Sequence, residues 1–417
     1  MTLSLQGLKK DPVANLYKIL VFLFPLGAAF IQHWATVFFY ALLALSLFTC
    51  CRKGFLVRST GDKSIFWGYG IFFAAALASL VNADDLSQGF ARIDPLLGFL
   101  FFILMFLGIR KAGADVLGPY IKGLAVAGLI LFCAALYTTE IQSLPRARGY
   151  YNAIVFGDIA IFIALTGFSF ACFNGFVSRV WQWVIFLSIP LALYASFLAG
   201  SRGGWLAVLA VIPVIAYLLT KNGQGRKGIV VLVLGFSFAF SSPFIFADTI
   251  GFQLERTAES MESFFSAEDK NTSTGQRFLM WSVAIDIWKD NPILGSGLGD
   301  FRHDVTRRMK QNETELSIAH VHAHNIFYEY LATTGLVGFV SMILGLFVVP
   351  FRFFIKALRK DQARQMIFAG AAGIVALVSF AVFGLTENWL GRSALVKSFL
   401  VAILIFTSTI SSEKNNA

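Results

Sequence analysis

Residues 320–338 read HVHAHNIFYEYLATTGLVG, and they mark the point at which a long hydrophilic stretch becomes a hydrophobic one. Three of the five histidines of the chain stand at the start of this stretch. The residues that follow, from about position 333, are apolar enough to cross a bilayer. We therefore expect a polar loop to enter a membrane helix here, and we expect the chemistry of the protein at this junction.

The composition around this junction is that of a membrane protein. Of the 417 residues, 57% are hydrophobic, 14% are charged and 45 are Phe, and the mean hydropathy is +0.70. A soluble fold cannot bury that much apolar surface. The sequence therefore predicts an all-α integral membrane protein with a single polytopic domain over residues 1–417.

Twelve apolar segments are long enough to be transmembrane helices. They cover approximately residues 14–31, 34–50, 64–82, 95–109, 117–138, 151–172, 181–199, 204–220, 228–246, 333–351, 366–385 and 394–410. This division leaves one large loop, residues 247–325, between helices 9 and 10. Part of the loop is predicted to be helical, because Arg277, Trp281 and Trp288 recur at helical spacing and a polar helix follows at about 300–312.

Lysines and arginines distinguish the two sides of the membrane. One side holds eighteen of them, whereas the short loops of the other side hold five: Arg92, Arg146, Arg148, Arg202 and Arg392. By the positive-inside rule both termini are cytoplasmic, and the loop 247–325 is external. The net charge of +10 is thus explained mostly by topology, and nucleic-acid binding loses its support.

Four arginines predicted to lie near the external membrane surface form a candidate anion site: Arg146, Arg148, Arg202 and Arg277. A guanidinium stays charged at any relevant pH, and its planar donors match phosphate oxygens. Together they could bind a lipid-linked phosphate or diphosphate. Taken singly, each is better explained as an interfacial anchor or as the partner of a carboxylate such as Glu140. Two further arginines are assigned to acidic neighbours: Arg92 to Asp94, and Arg392 to Glu387.

The histidine cluster has three interpretations. His320 and His324 stand at metal-ligand spacing, with His322 as a third ligand, but no carboxylate stands beside them in the sequence. They are otherwise interfacial or capping residues, or one of them is a general base, because histidine titrates near neutral pH. Composition does not choose between the last two. Glu329, about one helical turn further on, is predicted to pair with an arginine and otherwise to orient a histidine.

Three blocks of sequence resemble those of the O-antigen ligase family. They are Ser201-Arg202-Gly203-Gly204; Arg277-x-x-x-Trp281 followed by Pro292 and Gly295-x-Gly297; and His324-Asn325 followed after nine residues by Gly335-x-x-Gly338. The resemblance implies a GT-C-like glycosyltransferase of the bacterial inner membrane with an active site on the periplasmic face. It also implies the partners: undecaprenyl-diphosphate-linked O-antigen as donor, the lipid A core oligosaccharide as acceptor, and membrane lipids.

The resemblance assigns roles residue by residue. His324 corresponds to the essential histidine of the family, and Arg202 and Arg277 correspond to its essential arginines; Arg146 or Arg148 is the third arginine. We expect Asn325, His322, Glu329 and Trp281 to support the site. His324 would act as the base of an inverting displacement in which arginines hold the leaving diphosphate, without a metal and without a cofactor.

Three other functions remain as alternatives. An O-antigen polymerase is expected to show two large external loops, and a protein O-oligosaccharyltransferase usually adds a C-terminal extension. A transporter should show inverted repeats and ionisable residues near the bilayer midplane. Because this sequence shows one large loop, ends soon after its last apolar segment and gathers its arginines and histidines at one face, an O-antigen ligase is predicted.

Overall fold

The structure is a computed structural model that describes residues 11–54, 63–173, 176–245, 272–316, 318–359 and 362–413. Within these ranges every regular element is a helix, which confirms the all-helical class. The main helices are α1 (Pro12–Leu23), α2 (Trp34–Lys53), α3 (Lys63–Ala78), α4 (Leu86–Ala112), α5 (Leu117–Leu136), α6 (Ala153–Phe173), α7 (Arg179–Ala199), α8 (Arg202–Lys221), α9 (Gly225–Ile245), α10 (Ser273–Asp290), α11 (Phe301–Lys310), α12 (Ile326–Met342), α13 (Val349–Ile355), α14 (Arg364–Phe383) and α15 (Ser393–Glu413).

The described residues contain ten helical segments that are long and apolar enough to cross a membrane. One of them is the segment Ile326–Ile355, in which π-helical turns join α12 to α13. The other two predicted spans correspond to the shorter apolar helix Pro12–Leu26 and to α9. These helices indicate a multi-pass membrane protein, whereas the count of twelve crossings stays a prediction.

Two helices begin earlier than hydropathy predicted, because a polar residue caps each of them. Helix α4 begins at Leu86 rather than near residue 95, since the Asp85 side chain accepts the amide of Gln88 at 3.1 Å. Helix α12 begins at Ile326 rather than near residue 333, where Asn325 is the cap. Hydropathy finds the apolar part of a membrane helix and misses its polar first turns.

Alternate connections of the helix bundle meet at one end. Three backbone hydrogen bonds join them there: Tyr150 N to Phe30 O at 3.1 Å, Ala147 N to Leu198 O at 2.8 Å, and Ile326 N to Gly384 O at 2.8 Å. At the opposite end, Lys53 Nζ lies 3.2 Å from Asp11 and 3.0 Å from the carbonyl of Lys111. These contacts agree with helices that alternate in direction, whereas the alternation along the whole chain and the side of a membrane that each end faces stay predictions.

The described part of the predicted large loop, residues 272–316 and 318–325, is called the cap here; residues 247–271 and 317 lie outside the described residues. Thr272 begins α10 by accepting the amide of Gly275 at 3.1 Å. Helices α10 and α11 share a small apolar core, separate from that of the bundle, which includes Met280, Val283, Ala284, Ile287, Phe301 and Val305. Both helices predicted within the loop are present.

The cap is joined to α12 where that helix is broken at Gly335, which has φ 62° and ψ −166°. Four backbone hydrogen bonds fill the break: Leu336 N to Pro292 O at 2.9 Å, Val337 N to Ile293 O at 3.1 Å, Ser296 N to Ala332 O at 3.1 Å, and Gly297 N to Thr333 O at 3.0 Å. A Cβ on Gly335 would lie 2.3 Å from the Ile293 oxygen. Packing therefore requires the glycines of these two motif blocks, because they let the backbone of the cap lie directly against α12, the helix that follows His324.

Replacing Gly335 with Ala is expected to lower the Tm of the purified protein and to make the cap sensitive to protease. Essentially only glycine adopts this combination of φ and ψ, which costs another residue about 1–3 kcal/mol, and the added methyl would collide with the Ile293 carbonyl. Gly70→Ala is the matched control, because a Cβ at Gly70 in α3 meets no atom within 4 Å. Wild-type Tm and protease resistance in Gly335→Ala would contradict this account of the junction.

Candidate active site

The histidine loop, residues 320–325, is held at the Ala323 peptide from two directions. The Ala323 amide donates to Glu329 Oε2 at 2.7 Å, and its carbonyl accepts from Trp281 Nε1 at 3.0 Å. The Trp281 ring is stacked on Tyr328 with 5.3 Å between centroids. Glu329 is buried, its hydrogen bond goes to a backbone amide, and the charge of Arg92 acts on the same carboxylate, so the predicted pairing with an arginine stays a prediction. The backbone that carries the histidines is thus fixed by the cap and by α12.

Asn325 links the histidine loop to the connection between α14 and α15, residues 384–392. Its Oδ1 caps α12 by accepting the amides of Phe327 at 2.9 Å and Tyr328 at 3.3 Å. Its Nδ2 donates to the Leu385 carbonyl at 3.1 Å. An asparagine offers an acceptor and two donors on one short side chain, which explains why this residue follows His324.

His324 has φ 51°, in the left-handed region that residues with a Cβ rarely adopt. Its side chain is 28% exposed, so the ring lies at the surface of the site without being free in solvent. Its backbone amide donates to His322 Nδ1 at 3.2 Å, and the two rings lie 4.2 Å apart. A strained residue held by its surroundings is a feature that functional sites often show.

Glu387, in the 384–392 connection, is the buried carboxylate of the site, with 0% exposure. Its Oε1 accepts from Arg392 Nε at 2.9 Å, as predicted, and its Oε2 lies 3.4 Å from His324 Nδ1. Burial alone raises the pKa of Glu387, but the neighbouring His324 ring and the charge of Arg392 lower it to about 2. The sequence shows no carboxylate directly beside the histidines, and the fold brings Glu387 to His324 from a distant part of the chain.

His322 is a structural histidine. Its Nδ1 accepts the His324 amide, and its Nε2 lies 3.4 Å from Arg392 Nη2. Burial lowers the pKa of His322 to about 3, because a second positive charge would be desolvated beside the arginine. His322 therefore stays neutral near neutral pH and is unsuited to accept a proton from a substrate.

Arg202 stands at the beginning of α8, beside the 384–392 connection. The Ser201 hydroxyl donates to Asp158 Oδ1 at 3.4 Å instead of capping the helix. A Cβ at Gly203 would lie 2.1 Å from Thr386 Oγ1, next to Glu387, so only glycine lets α8 approach this closely. The helix end thus presents an exposed guanidinium and backbone amides without a side-chain cap, a combination that favours anions.

Arg277, on α10, faces the same connection from the cap. It is half-buried and makes no hydrogen bond or ion pair with any residue that the structure describes. Burial lowers the pKa of its guanidinium, and the charge of Glu387 opposes that effect, so the two groups are close. The neighbouring Gln276 lies 3.4 Å from His320 Nε2 and ties the first histidine of the cluster to α10.

The two candidates for the third arginine differ in their contacts. Arg146 Nε and Nη2 donate to the carbonyls of Ala199 at 2.8 Å and Gly200 at 3.0 Å, so it holds the α7–α8 turn. Arg148 is exposed and forms no hydrogen bond or ion pair with a described residue. The neighbouring Ala147 amide donates to the Leu198 carbonyl at 2.8 Å, so the backbone beside Arg148 is tied to the end of α7.

Sequence reasoning missed Arg92 and Arg392 as residues of the site. Arg92 Nη2 donates to the Val321 carbonyl in the histidine loop at 3.5 Å, whereas we had assigned it to Asp94. Its guanidinium also lies against Gly391 in the 384–392 connection. Arginines from α4, α8, α10, the 384–392 connection and the loop after α5 thus lie at the end of the bundle where His324 stands. The sequence grouped those of α8, α10 and the loop after α5, whereas nothing in it places Arg92 or Arg392 in the same site.

Two clusters bring metal-ligand atoms within 4.8 Å of one another in the described residues: His322, His324 and Glu387, and Asp84, His303 and Asp304. In the first, Arg392 already bonds Glu387 and faces His322, so a dication would sit beside a guanidinium. In the second, Arg307 bridges Asp304 at 2.8 Å and Asp84 at 3.6 Å. Both clusters are better described as ion-pair networks, which leaves the predicted metal independence to be tested.

Comparisons with known proteins agree with the motifs. Residues 186–343 match the sequence model of a family described as O-Antigen ligase. This region contains Arg202, Arg277 and His324, whereas Glu387 and Arg392 lie beyond it.

Two relatives align with most of the chain. An uncharacterized protein of Haemophilus influenzae is 26% identical over 409 residues, which cover 94% of this chain and 96% of that protein. The Teichuronic acid biosynthesis protein TuaE of Bacillus subtilis is 22% identical over 342 residues, which cover 78% of this chain and 68% of TuaE. Residues 186–343 of this chain thus match the model of the O-antigen ligase family, whose members are glycosyltransferase-like enzymes of polysaccharide biosynthesis, and the resemblance drawn from the motifs is confirmed.

Proposed function

We propose that this protein is an O-antigen ligase. It transfers a glycan from undecaprenyl diphosphate to a sugar hydroxyl of the lipid A core, at the periplasmic face of the Gram-negative inner membrane. The observation that supports this most strongly is the convergence of His324, Arg202 and Arg277 on the 384–392 connection, although the three residues come from separate sequence blocks.

The chemistry of the donor explains this combination of groups. A glycosyl diphosphate already carries a good leaving group with several negative charges, and arginines that face it stabilise the charge that develops as the bond breaks. The acceptor hydroxyl is a poor nucleophile with a high pKa, so the reaction needs a base. His324 supplies the base and the arginines supply the positive charge.

The reaction is a single displacement in which atoms and charges balance. The acceptor oxygen forms a bond to the anomeric carbon while its proton passes to the imidazole of His324. The bond from the anomeric carbon to the phosphate oxygen breaks, and its electron pair leaves with undecaprenyl diphosphate. The configuration at the anomeric carbon is therefore inverted, and the proton on His324 later returns to solvent.

The third arginine in this proposal is Arg148, because Arg146 is held by backbone carbonyls. Arg148→Ala is expected to raise the KM for the donor about tenfold with little change in Tm, since one charged hydrogen bond is worth about 1.5–3 kcal/mol. Arg146→Ala should instead lower Tm, because it frees the α7–α8 turn. The measurement is donor-dependent kinetics beside thermal unfolding, and the reverse pattern would assign the diphosphate to Arg146.

A polymerase-type reaction is the second candidate, since one relative is named for teichuronic acid and not for lipopolysaccharide. In that reaction the acceptor is the glycan of a second lipid-linked chain. The same base and arginines would serve it, because the donor side of the chemistry does not change. The identity of the acceptor therefore has to be measured.

The deciding experiment is reconstitution of the purified chain in liposomes with undecaprenyl-diphosphate-linked glycan, with a chelator and without nucleotide. One arm adds lipid A core as acceptor, and the other adds only more lipid-linked glycan. Glycosylated lipid A core in the first arm is the expected product. Longer lipid-linked glycan in the second arm alone would indicate a polymerase. No transfer in either arm, together with solute flux across the vesicles, would reject both in favour of a transporter.

A further inference from the structure

We infer that Glu387 is the positioning residue of His324: its carboxylate holds the proton of Nδ1, leaves Nε2 as the basic nitrogen and stabilises the imidazolium that forms during transfer. This inference rests on the proposed function, because it specifies how the base of that reaction is prepared. It concerns a residue outside the family-matched region 186–343.

The distance between the Glu387 carboxylate and the His324 ring supports this role. Glu387 Oε2 lies 3.4 Å from His324 Nδ1, and neither atom has a hydrogen-bond partner in the described part of the chain, the other member of the pair included. This separation is longer than an ideal hydrogen bond. Hydrogen bonds of catalytic groups are often long without substrate and shorten in the reacting complex. The two groups therefore form a dyad that is assembled and can tighten.

The carboxylate of Glu387 is also held in a fixed position. Glu387 is fully buried, and Arg392 holds its other oxygen at 2.9 Å. The backbone on either side is tied to the histidine loop by Asn325 Nδ2 on Leu385 O and by Ile326 N on Gly384 O. The two segments that carry Glu387 and His324 are therefore bonded to each other through the main chain. This keeps the Glu387 carboxylate beside Nδ1 of His324.

The ionised carboxylate also determines which nitrogen of the His324 imidazole carries the proton. A carboxylate that stays ionised near neutral pH accepts a hydrogen bond and donates none. It therefore selects the imidazole tautomer with the proton on Nδ1. Nε2 is then unprotonated and points to the opposite edge of the ring, where an acceptor hydroxyl can reach it. The same logic orders the acid, the histidine and the hydroxyl in triad hydrolases, on unrelated folds.

Charged and titratable groups from five elements face this dyad or lie next to it. They are His320 and His322 from the histidine loop, Arg392 from the 384–392 connection, Arg277 from α10, Arg92 from α4 and Asp158 from α6. His322 stays neutral and the arginines do not titrate, so they contribute a constant field. Within this field, Glu387 is the charge that lies closest to the reacting ring on its Nδ1 side.

The test is the pH dependence of transfer by the full-length protein in liposomes. Glu387→Gln keeps the shape of the side chain and removes its charge. The kcat/KM plateau is expected to fall about 10- to 100-fold, because the base is weaker and its tautomer is no longer selected. The acid limb of the profile should move to lower pH, since the imidazolium has lost its counter-charge. A merely structural role would lower the plateau without moving the limb.

Two further measurements keep the inference open to contradiction. Glu387→Asp retains the charge with a shorter reach, so its acid limb should stay near that of the wild type while its plateau falls less. In folded protein with ¹⁵N-labelled histidine, the neutral form of His324 should carry its proton on Nδ1, and Glu387→Gln should lose this preference. Glu140→Gln, at an exposed carboxylate near the end of α5, is the matched control and should change neither.

The outcomes separate this inference from the proposed function. A wild-type pH profile and a wild-type tautomer in Glu387→Gln, with transfer abolished in a His324 variant, would remove Glu387 and leave the ligase proposal intact. Full transfer by the His324 variant would instead show that His324 is not the base, and would contradict the mechanism of the proposed function.

Discussion

His324→Gln is expected to lower the rate of glycan transfer by about 10³-fold or more while the protein inserts and folds normally. The imidazole is the group best placed to take the proton of an acceptor hydroxyl, because His322 beside it is buried, neutral and bonded through Nδ1 to the His324 amide. Glutamine fills a similar volume and cannot act as a base at neutral pH. The measurement is single-turnover transfer in liposomes with Tm as the test of folding.

Two variants frame this result. His303→Gln, on α11, removes an exposed histidine that pairs with Asp84 and should leave transfer unchanged. His322→Gln should reduce transfer by a smaller factor and should lower Tm, because His322 supports the backbone of the loop. Wild-type transfer by a properly folded His324→Gln protein would contradict the assignment of His324 as the base.

Arg277→Ala is expected to reduce kcat/KM by about 10³-fold, since one preorganised charged donor at a departing anion is worth roughly that much. Arg277 is the predicted diphosphate ligand that is half-buried and makes no hydrogen bond or ion pair with a described residue, so its charge acts in a partly desolvated setting. Product inhibition by undecaprenyl diphosphate should weaken in parallel, and this measures the loss of binding directly.

The conservative variant and a matched control define the role of Arg277. Arg277→Lys keeps the charge and loses the planar fork, so it should recover part of the activity. Arg302→Ala removes an exposed arginine from α11 of the same cap and should have no effect. Equal losses in Arg277→Ala and Arg302→Ala would show that the cap responds to net charge, and the diphosphate would then need another ligand.

Much of the fold follows from local properties of the sequence. Apolar runs of sufficient length predicted the helical membrane class, and helical spacing around Arg277 and Trp281 predicted α10, because both signals are contained within about 20 adjacent residues. The helix starts at Leu86 and Ile326 were missed, since they depend on polar caps that hydropathy averages out.

The candidate site was predicted in part. Motif spacing identified His324, Arg202 and Arg277. The motifs also contain glycines, but the sequence does not explain why glycine is needed at those positions. The reason is the break in α12, where Gly335 admits the backbone of the cap at a distance that no side chain tolerates. A glycine motif in sequence shows that space is needed, and only the packed structure shows which segment occupies it.

By itself, then, the sequence determined a helical membrane protein with one polar junction at His324 and a set of arginines suited to a phosphate. The tertiary structure decided which groups act together: it placed Glu387 beside His324, turned Arg146 to the backbone and set Glu329 beneath Ala323. The physical reason is range. Hydropathy and helical periodicity are local sums along the chain, whereas a buried ion pair depends on distance and direction between segments that the chain brings together only when it folds.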